Sequence, residues 1–544
     1  MSDNKPWLKH WPPEVPTHID IPQVPLQAVL SQTAKNLPEK TAITYGERKI
    51  SYAELDRLSD RFAVALDELG VEKGERVAVF LPNIPQFAVA FFGALKAGAV
   101  VTTVSPLHRE REVEYQLSDS GAQTIVILDS LYPIVKNVQE KTPQKNIILT
   151  GLDDFGSEIA GKRSDALWDF KELIEKATDK APNVQFKPNE DLAALQYTGG
   201  TTGTAKGAML THTNLVSNAL AFATWIKGTA QDVFLAALPL FHIYGMTTSM
   251  TTPISLGAEI VLLPKFNPPK ALQTIENSRV TVYCGSPTMY AILLTNPELE
   301  KHDLKSIRVC ISGASPLPPQ IQKQFMQVTG GFLAEGYGLT EASPVTHCNP
   351  VDKSMKTVRV GSIGLPLPDT EARIVDLETG KRALAVGEKG ELAVKGPQVM
   401  LGYWQKPEET AQVLRDGWLL TGDIAYMDSD GYFYITDRKK DLIKHKDYSV
   451  YPRELEDILY EHPAVKLCAV VGKPDPIVGE VPKAFVVLKN GANATAEDLA
   501  GFVNCKVAPY KAIREIEFRS ELPISSAGKV LRRTLKQAPQ TRNL

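Results

Sequence analysis

The run YTGGTTGTAKGAMLTH, residues 197–212, concentrates groups that bind a polyanion. Gly199, Gly200, Gly203 and Gly207 permit tight turns that bring backbone N–H groups to an anion. Thr198, Thr201, Thr202 and Thr204 add hydroxyl donors, and Lys206 adds a mobile positive charge. Amides, hydroxyls and one lysine together suit a polyphosphate. The run is not a Walker loop. That pattern needs glycine just before the lysine and Ser or Thr just after it, whereas Ala205 precedes Lys206 and Gly207 follows it. A solvated Gly/Thr surface loop is the bland alternative, so other residues must decide the chemistry.

Further runs follow along the chain: LPLFHIYGM (238–246), SGASPL (312–317), EGYGLTE (335–341), GSIGLP (361–366), TGD (421–423), DRKKDLIK (437–444) and SSAGKVLRR (525–533). With the Gly/Thr loop, and in this order, they resemble the motif set of the adenylate-forming superfamily of acyl-CoA synthetases, adenylation domains and luciferases. The resemblance spans almost the whole chain. Within the superfamily, DRKKDLIK and the Lys-rich C-terminus look most like fatty acyl-CoA synthetases.

That resemblance implies an enzyme that activates a carboxylic acid with ATP and Mg²⁺ through an acyl-adenylate, then transfers the acyl group to coenzyme A. The reaction joins two anions, so positioning and charge neutralisation do most of the work. Lys529 matches the lysine that bridges the attacking carboxylate and the α-phosphate, and Thr340 the residue that touches the α-phosphate. Glu341 matches the magnesium ligand; one carboxylate plus ATP oxygens and water is an ordinary magnesium shell. Gly313, Ala314 and Ser315, with Glu335, Gly336, Tyr337 and Gly338, match the adenine pocket, where the Tyr337 ring can stack on the base. Asp423 matches the acceptor for the ribose hydroxyls, and Arg438 the ribose support from the other domain.

His242 matches a residue at the junction of acyl group and phosphates. Its expected role is gating and orientation, because a carboxylate is already ionised at neutral pH and needs no base. Lys440 matches the hinge about which the C-terminal domain rotates between half-reactions. Lys444 and Lys446 are candidates for the phosphates of CoA. One position departs from the pattern. Many relatives have glycine after the lysine at 446, where the pantetheine chain passes, and this chain has Asp447. That departure keeps open an acceptor other than CoA, such as a carrier-protein thiol. A nucleotide-binding protein without catalysis is the alternative of another class, and intact Lys529, Glu341 and Lys206 argue against it.

The resemblance also assigns the acyl pocket to the helix after the phosphate loop, NLVSNALAFATWIKG, with small Ala219, Ala221 and Ala223 and bulky Phe222 and Trp225. His242, Tyr244, Met246, Gly285, Ser286 and Val345 are further candidates. No acidic residue is an obvious partner for a substrate amine, which favours a fatty acid of medium or greater length.

These residues need a scaffold. The 544 residues imply two or three domains. Apolar content of 43% and charged content of 23% are those of a globular, water-soluble protein. A net charge of −3 gives no case for nucleic acid or an anionic membrane. The five cysteines form no CxxC pair, which suits free thiols in the reducing cytoplasm. The first residues lack the pattern of a signal peptide. Residues 87–104 are the most apolar stretch, but Lys96, Gly93 and Gly98 interrupt it, so no transmembrane segment is expected. Peripheral membrane contact stays open if the acid is a lipid, and the pattern does not address oligomeric state.

Ser51 and Glu54 have capping-box spacing ahead of an amphipathic run to Leu69. Residues 77–81, 100–104 and 124–128 read as buried strands, with a helix over 86–97 between the first two. Strands alternating with helices imply a parallel α/β sheet. Glycine and proline then become frequent, and a helix begins at Pro452. The expected fold is α/β. A large N-terminal domain of parallel-type layers (1–437) carries a β-rich subdomain at about 355–437, and a small mobile α+β domain (438–544) holds Lys529.

Overall fold

A computed structural model describes residues 5–152, 154, 167–198, 205–352, 354–446, 448–489, 491–524 and 530–537. The chain divides into two compact units. The first comprises Met1–Gly200, Thr204–Glu371 and Lys395–Leu419; the second comprises Thr201–Gly203, Ala372–Val394 and Leu420–Leu544.

The first unit holds two large sheets. In one, Val100–Thr103, Arg76–Phe80, Thr124–Leu128 and Asn146–Thr150 are neighbouring parallel strands. The short strand Trp168–Asp169 closes that edge. Beyond Val100–Thr103 come Leu192–Tyr197, then antiparallel Gly207–Thr211, then Gly402–Tyr403. In the other sheet, Phe332–Gly338, Val309–Ser312, Val282–Gly285, Val233–Ala236, Glu259–Leu262 and Thr41–Tyr45 run parallel. Antiparallel strands finish both of its edges. Most residues of these parallel strands are buried, so side chains on both faces of each sheet are covered.

The helices start where their sequences say. Ser51 Oγ accepts the N–H of Glu54 at 3.1 Å and opens the helix Tyr52–Glu68. The Glu54 carboxylate does not complete the capping box; it pairs with Arg48 on the preceding strand. Thr211 and Asn214 form a full capping box at the start of His212–Trp225. The helix Pro85–Lys96 is buried on every side. Among the described residues no helix is long and apolar enough to cross a membrane.

In the second unit, Gly479–Leu488 pairs with Val465–Asp475, with Ile443–His445 and, in parallel, with Glu515–Phe518. Alternation sorts its side chains. Ala484 and Val486 face the helices Pro452–Glu461 and Ala496–Asn504, while Phe485 and Val487 pack with Leu522, Val530 and Leu535. A separate ladder joins Trp418–Met427 to Phe433–Arg438.

Lys96 is only 6% exposed, and its three N–H groups have three acceptors. These are the Asp56 carbonyl at 2.9 Å, the Asp56 carboxylate at 2.6 Å and the Asp60 carboxylate at 2.6 Å. Burial raises the Asp60 carboxyl above its ordinary range, and Lys96 opposes that shift. Lys96→Met leaves two carboxylates without their cation. It should lower the unfolding free energy by about 3 kcal/mol, read from guanidinium denaturation. Adding Asp56→Asn and Asp60→Asn should recover part of the loss; no recovery would show that Lys96 acts through packing alone.

Candidate functional site

The strands on either side of the Gly/Thr run pair antiparallel. Leu192–Tyr197 leads into it and antiparallel Gly207–Thr211 leads out, with Thr198 N–H donating to the Lys206 carbonyl at 2.9 Å. Gly199, Gly200, Thr201, Thr202, Gly203 and Thr204 lie outside the described residues. The stem is braced from the helix Glu110–Ser120. Tyr115 Oη donates to the Ala205 carbonyl at 2.8 Å, and Tyr197 Oη donates to Asp119 at 2.6 Å. The Trp404 indole donates to the Asp119 carbonyl at 3.1 Å.

The chain around Gly402–Tyr403 forms an edge strand on the exit strand of the hairpin. Leu401 N–H donates to the Met209 carbonyl at 3.0 Å, and Trp404 N–H to the Gly207 carbonyl at 2.8 Å. Met400 N–H donates to the Glu341 carbonyl at 2.8 Å. This edge brings Lys206 and Glu341 to one tyrosine. Tyr403 Oη donates to Glu341 Oε1 at 2.6 Å, and the Lys206 ammonium lies 4.7 Å from the centre of its ring. Burial, then the Glu341 charge, raises the Tyr403 phenol far above its ordinary range, so it keeps its proton and donates.

The nucleotide-pocket runs sit at the carboxyl ends of parallel strands, where open α/β sheets leave a crevice. Gly285, Ser312 and Glu335 are in register across three adjacent strands. Gly313 follows directly, and a Cβ there would come within 2.9 Å of the Tyr244 ring. Ala314 adopts φ 73°, and Ser315 continues the turn. Glu335 is buried, and its carboxylate accepts the Leu317 N–H at 3.0 Å, which pins this turn. Gly336 packs on Ile311, and Gly338 crosses close to the Pro344 carbonyl. The half-buried Tyr337 ring lies 6.1 Å from that of His347. Thr340 and Glu341 begin the short turn Thr340–Ala342.

His242 Nδ1 accepts the N–H of Tyr244 at 3.2 Å and caps the helix Ile243–Met246. An accepting Nδ1 carries no proton, so a ring proton in this arrangement sits on Nε2. Tyr244 Oη donates to the Ile311 carbonyl at 2.9 Å. A π-helical turn, Thr247–Thr251, follows. Such turns recur at functional sites. The bulky candidates on the helix after the loop, Phe222 and Trp225, are fully buried, and Trp225 donates to the Asn349 carbonyl at 3.0 Å.

In the second unit Asp423 and Arg438 are cross-strand partners, with Arg438 Nε 2.8 Å from the buried Asp423 carboxylate. Glu391 accepts the Gly422 N–H at 3.0 Å and pairs with Lys439 at 2.8 Å. Lys440 and Lys444 are exposed. Lys529 lies outside the described residues, whereas Ile524 and Val530 on either side of it are described. Ile524 bridges Val530, and Leu531 N–H donates to the Pro523 carbonyl at 2.8 Å. Arg532 pairs with Glu456 at 2.6 Å and Asp441 at 3.3 Å.

Sequence reasoning missed Tyr403, Asp119 and Arg532. Arg532 falls inside the quoted run SSAGKVLRR, and its spacing from Lys529 was the available signal. Tyr403 and Asp119 carry no local signal, because their partners are distant in sequence.

Comparison with known proteins matches residues 30–404 to the AMP-binding enzyme family and residues 454–529 to the AMP-binding enzyme C-terminal domain. The chain is 44% identical to a long-chain-fatty-acid–CoA ligase of Bacillus subtilis (strain 168), over 98% of each chain. It is similar in structure to ATP-bound MatB from Rhodopseudomonas palustris, with a TM-score of 0.85, 31% identity and coverage of 94% and 99%. It is also similar to the anthranilate CoA ligase AuaEII in complex with anthranoyl-AMP, with a TM-score of 0.86, 27% identity and coverage of 95% and 97%.

Asp437, next to Arg438, is 3% exposed and accepts the N–H groups of Arg438 at 2.7 Å and Arg453 at 3.0 Å. Burial outweighs these bonds and holds its carboxyl up at about 6. Between its unfolded and folded values the folded chain binds more protons, so this group's contribution to stability falls as pH rises from about 4 to 6. Asp437→Asn removes that dependence. The stability of the variant relative to the parent should therefore rise by about 2 kcal/mol from pH 4 to pH 7 in denaturant titrations. A difference that stays constant across this range would contradict the burial account.

Proposed function

Because this chain belongs to the AMP-binding enzyme family, we propose that it is an AMP-forming acid–thiol ligase that joins a fatty acid, most simply a long-chain one, to coenzyme A. A carboxylate oxygen bonds to the α-phosphorus of ATP, the bond from that phosphorus to the bridging oxygen breaks, and pyrophosphate leaves. The CoA sulfur then bonds to the acyl carbon, the C–O bond to AMP breaks, and AMP leaves as the thiol proton passes to water. One convergence carries the reading. Lys206 and Glu341 meet at Tyr403 beside the phosphate-loop stem, in a chain alike over 98% of its length to a long-chain-fatty-acid–CoA ligase.

The role of each residue follows from its surroundings. Lys206 and the loop 199–204 hold the phosphates. Glu341 has one carboxylate oxygen bonded to Tyr403 and further lone pairs directed elsewhere, so it fits as a single protein ligand for magnesium. When bound, magnesium neutralises phosphate charge. Gly313, Ala314, Ser315, Gly336, Tyr337 and Gly338 form the adenine wall, held in shape by Glu335. Thr340 meets the α-phosphate. His242, capping a helix, orients the acid. Asp423 takes the ribose, and Arg438 aligns its carboxylate.

Lys529 supplies the charge that brings the two anions together. Lys440 is the hinge, and residues 438–544 form the domain that turns about it. Lys444 and Lys446 meet the CoA phosphates. The cytoplasm suits the five free cysteines.

The purified protein should release AMP and pyrophosphate from ATP, Mg²⁺ and a fatty acid, and form acyl-CoA when CoA is added. Silence with every acid tested removes the proposal. Lys529→Ala should slow adenylate formation by about a hundredfold or more, yet form thioester from supplied acyl-adenylate at close to the parent rate. Loss of both half-reactions in a folded variant would contradict the division of labour between them. Asp447→Gly should change the rate of thioester formation alone; an equal change in adenylation would place Asp447 outside the CoA path.

A further inference from the structure

We propose that Tyr403 is a positioning residue for the ATP–metal site: its hydroxyl orients the Glu341 carboxylate and its ring face seats the Lys206 ammonium. The inference rests on the reading of Glu341 and Lys206 given above.

The placement of Tyr403 is built by the backbone. The residue pairs with Ala208 in the antiparallel ladder, and its N–H donates to Thr410 Oγ1 at 2.9 Å. Gly402 before it has φ 149°, and a Cβ there would lie 2.7 Å from Thr410 Cγ2. The close approach of Thr410 therefore requires glycine at 402, and that approach holds Tyr403. At 7% exposure the ring has little freedom to turn away.

Each contact does a different job. The terminal torsion of a glutamate is broad, so an unrestrained carboxylate samples many orientations. A 2.6 Å bond from Tyr403 to Oε1 selects one of them. A carboxylate has about four lone-pair sites, so this bond leaves capacity for a cation. The aromatic face attracts the Lys206 ammonium without carrying a charge of its own. A carboxylate in that position would hold the lysine too, but would cancel the charge that phosphate needs. A tyrosine therefore orders both a metal ligand and a phosphate cation while neutralising neither.

The test separates the hydroxyl from the ring. Tyr403→Phe keeps the ring and removes the bond to Glu341. ATP binding is measured by calorimetry across a Mg²⁺ titration and in EDTA, with thermal melting as the check on folding. The Mg²⁺ concentration giving half of the metal-dependent gain in ATP affinity should rise about tenfold. Affinity in EDTA should stay within about twofold, since the seat for Lys206 is intact. Tyr403→Leu should lose affinity in EDTA as well, by about threefold or more. Unchanged Mg²⁺ dependence in Tyr403→Phe overturns the inference. So does an equal loss with and without metal, which would mean general damage to the pocket. If Tyr403→Leu does not fold, the near-isosteric phenylalanine variant still decides. A parent protein that makes no AMP with any acid sinks the proposed function, whereas an active parent with a metal-indifferent Tyr403→Phe sinks only the role of Tyr403.

Discussion

The site of the larger unit depends on one antiparallel ladder, between Gly207–Thr211 and Gly402–Tyr403. Strand pairing has a side-chain period of two, so a slip of one residue turns every side chain to the other face. Such a slip would take the Tyr403 ring from Lys206 and its hydroxyl from Glu341. Register is held from several sides: by the Gly207 and Met209 carbonyls, by Thr410, and by the Trp404 indole on the Asp119 carbonyl. Met400 extends the same edge to the Glu341 backbone. A segment about two hundred residues downstream of the phosphate loop thus fixes the geometry at its exit.

A chain with a net charge of −3 has to handle substrates that are themselves anions. Several acidic residues in and beside the quoted runs are already engaged by donors. Glu335 holds the Leu317 N–H, and Asp423 pairs with Arg438. Glu391 holds Gly422 and Lys439, and Glu341 accepts from Tyr403. Donors already in place need no rearrangement when charge arrives, and this is how a polar site stabilises an ionic reaction cheaply. Lys206 rests on a ring and not on a carboxylate.

Local signals were legible in the sequence, and long-range ones were not. Ser51 marked its helix because a cap bonds three residues away. The buried strands at 76–80, 100–103 and 124–128 showed as apolar runs because both faces are covered. The residue types of the phosphate loop named its ligand class, and the order of the runs named the family. What the loop could not reveal is that its two flanks pair antiparallel, since an apolar run does not name its partner strand. Glu335 reads as a pocket residue in EGYGLTE, yet its carboxylate holds the turn at Leu317. Glu54 was legible as half of a capping box, and Arg48 on the adjacent strand took its carboxylate. Tyr403 and Asp119 acquire meaning only when distant strands meet, so no local window contains their signal.

The departure at Asp447 illustrates the same division between backbone and charge. Ile443–His445 and Tyr448–Val450 are paired antiparallel with His445 opposite Tyr448, and Lys446 takes φ 54°. Asp447 itself lies outside the described residues. What the substitution does add is a negative charge in the stretch RKKDLIKHK-D, beside the lysines proposed to meet CoA. In the proposed reaction that charge would act electrostatically, as a carboxylate among the cations that meet the CoA phosphates.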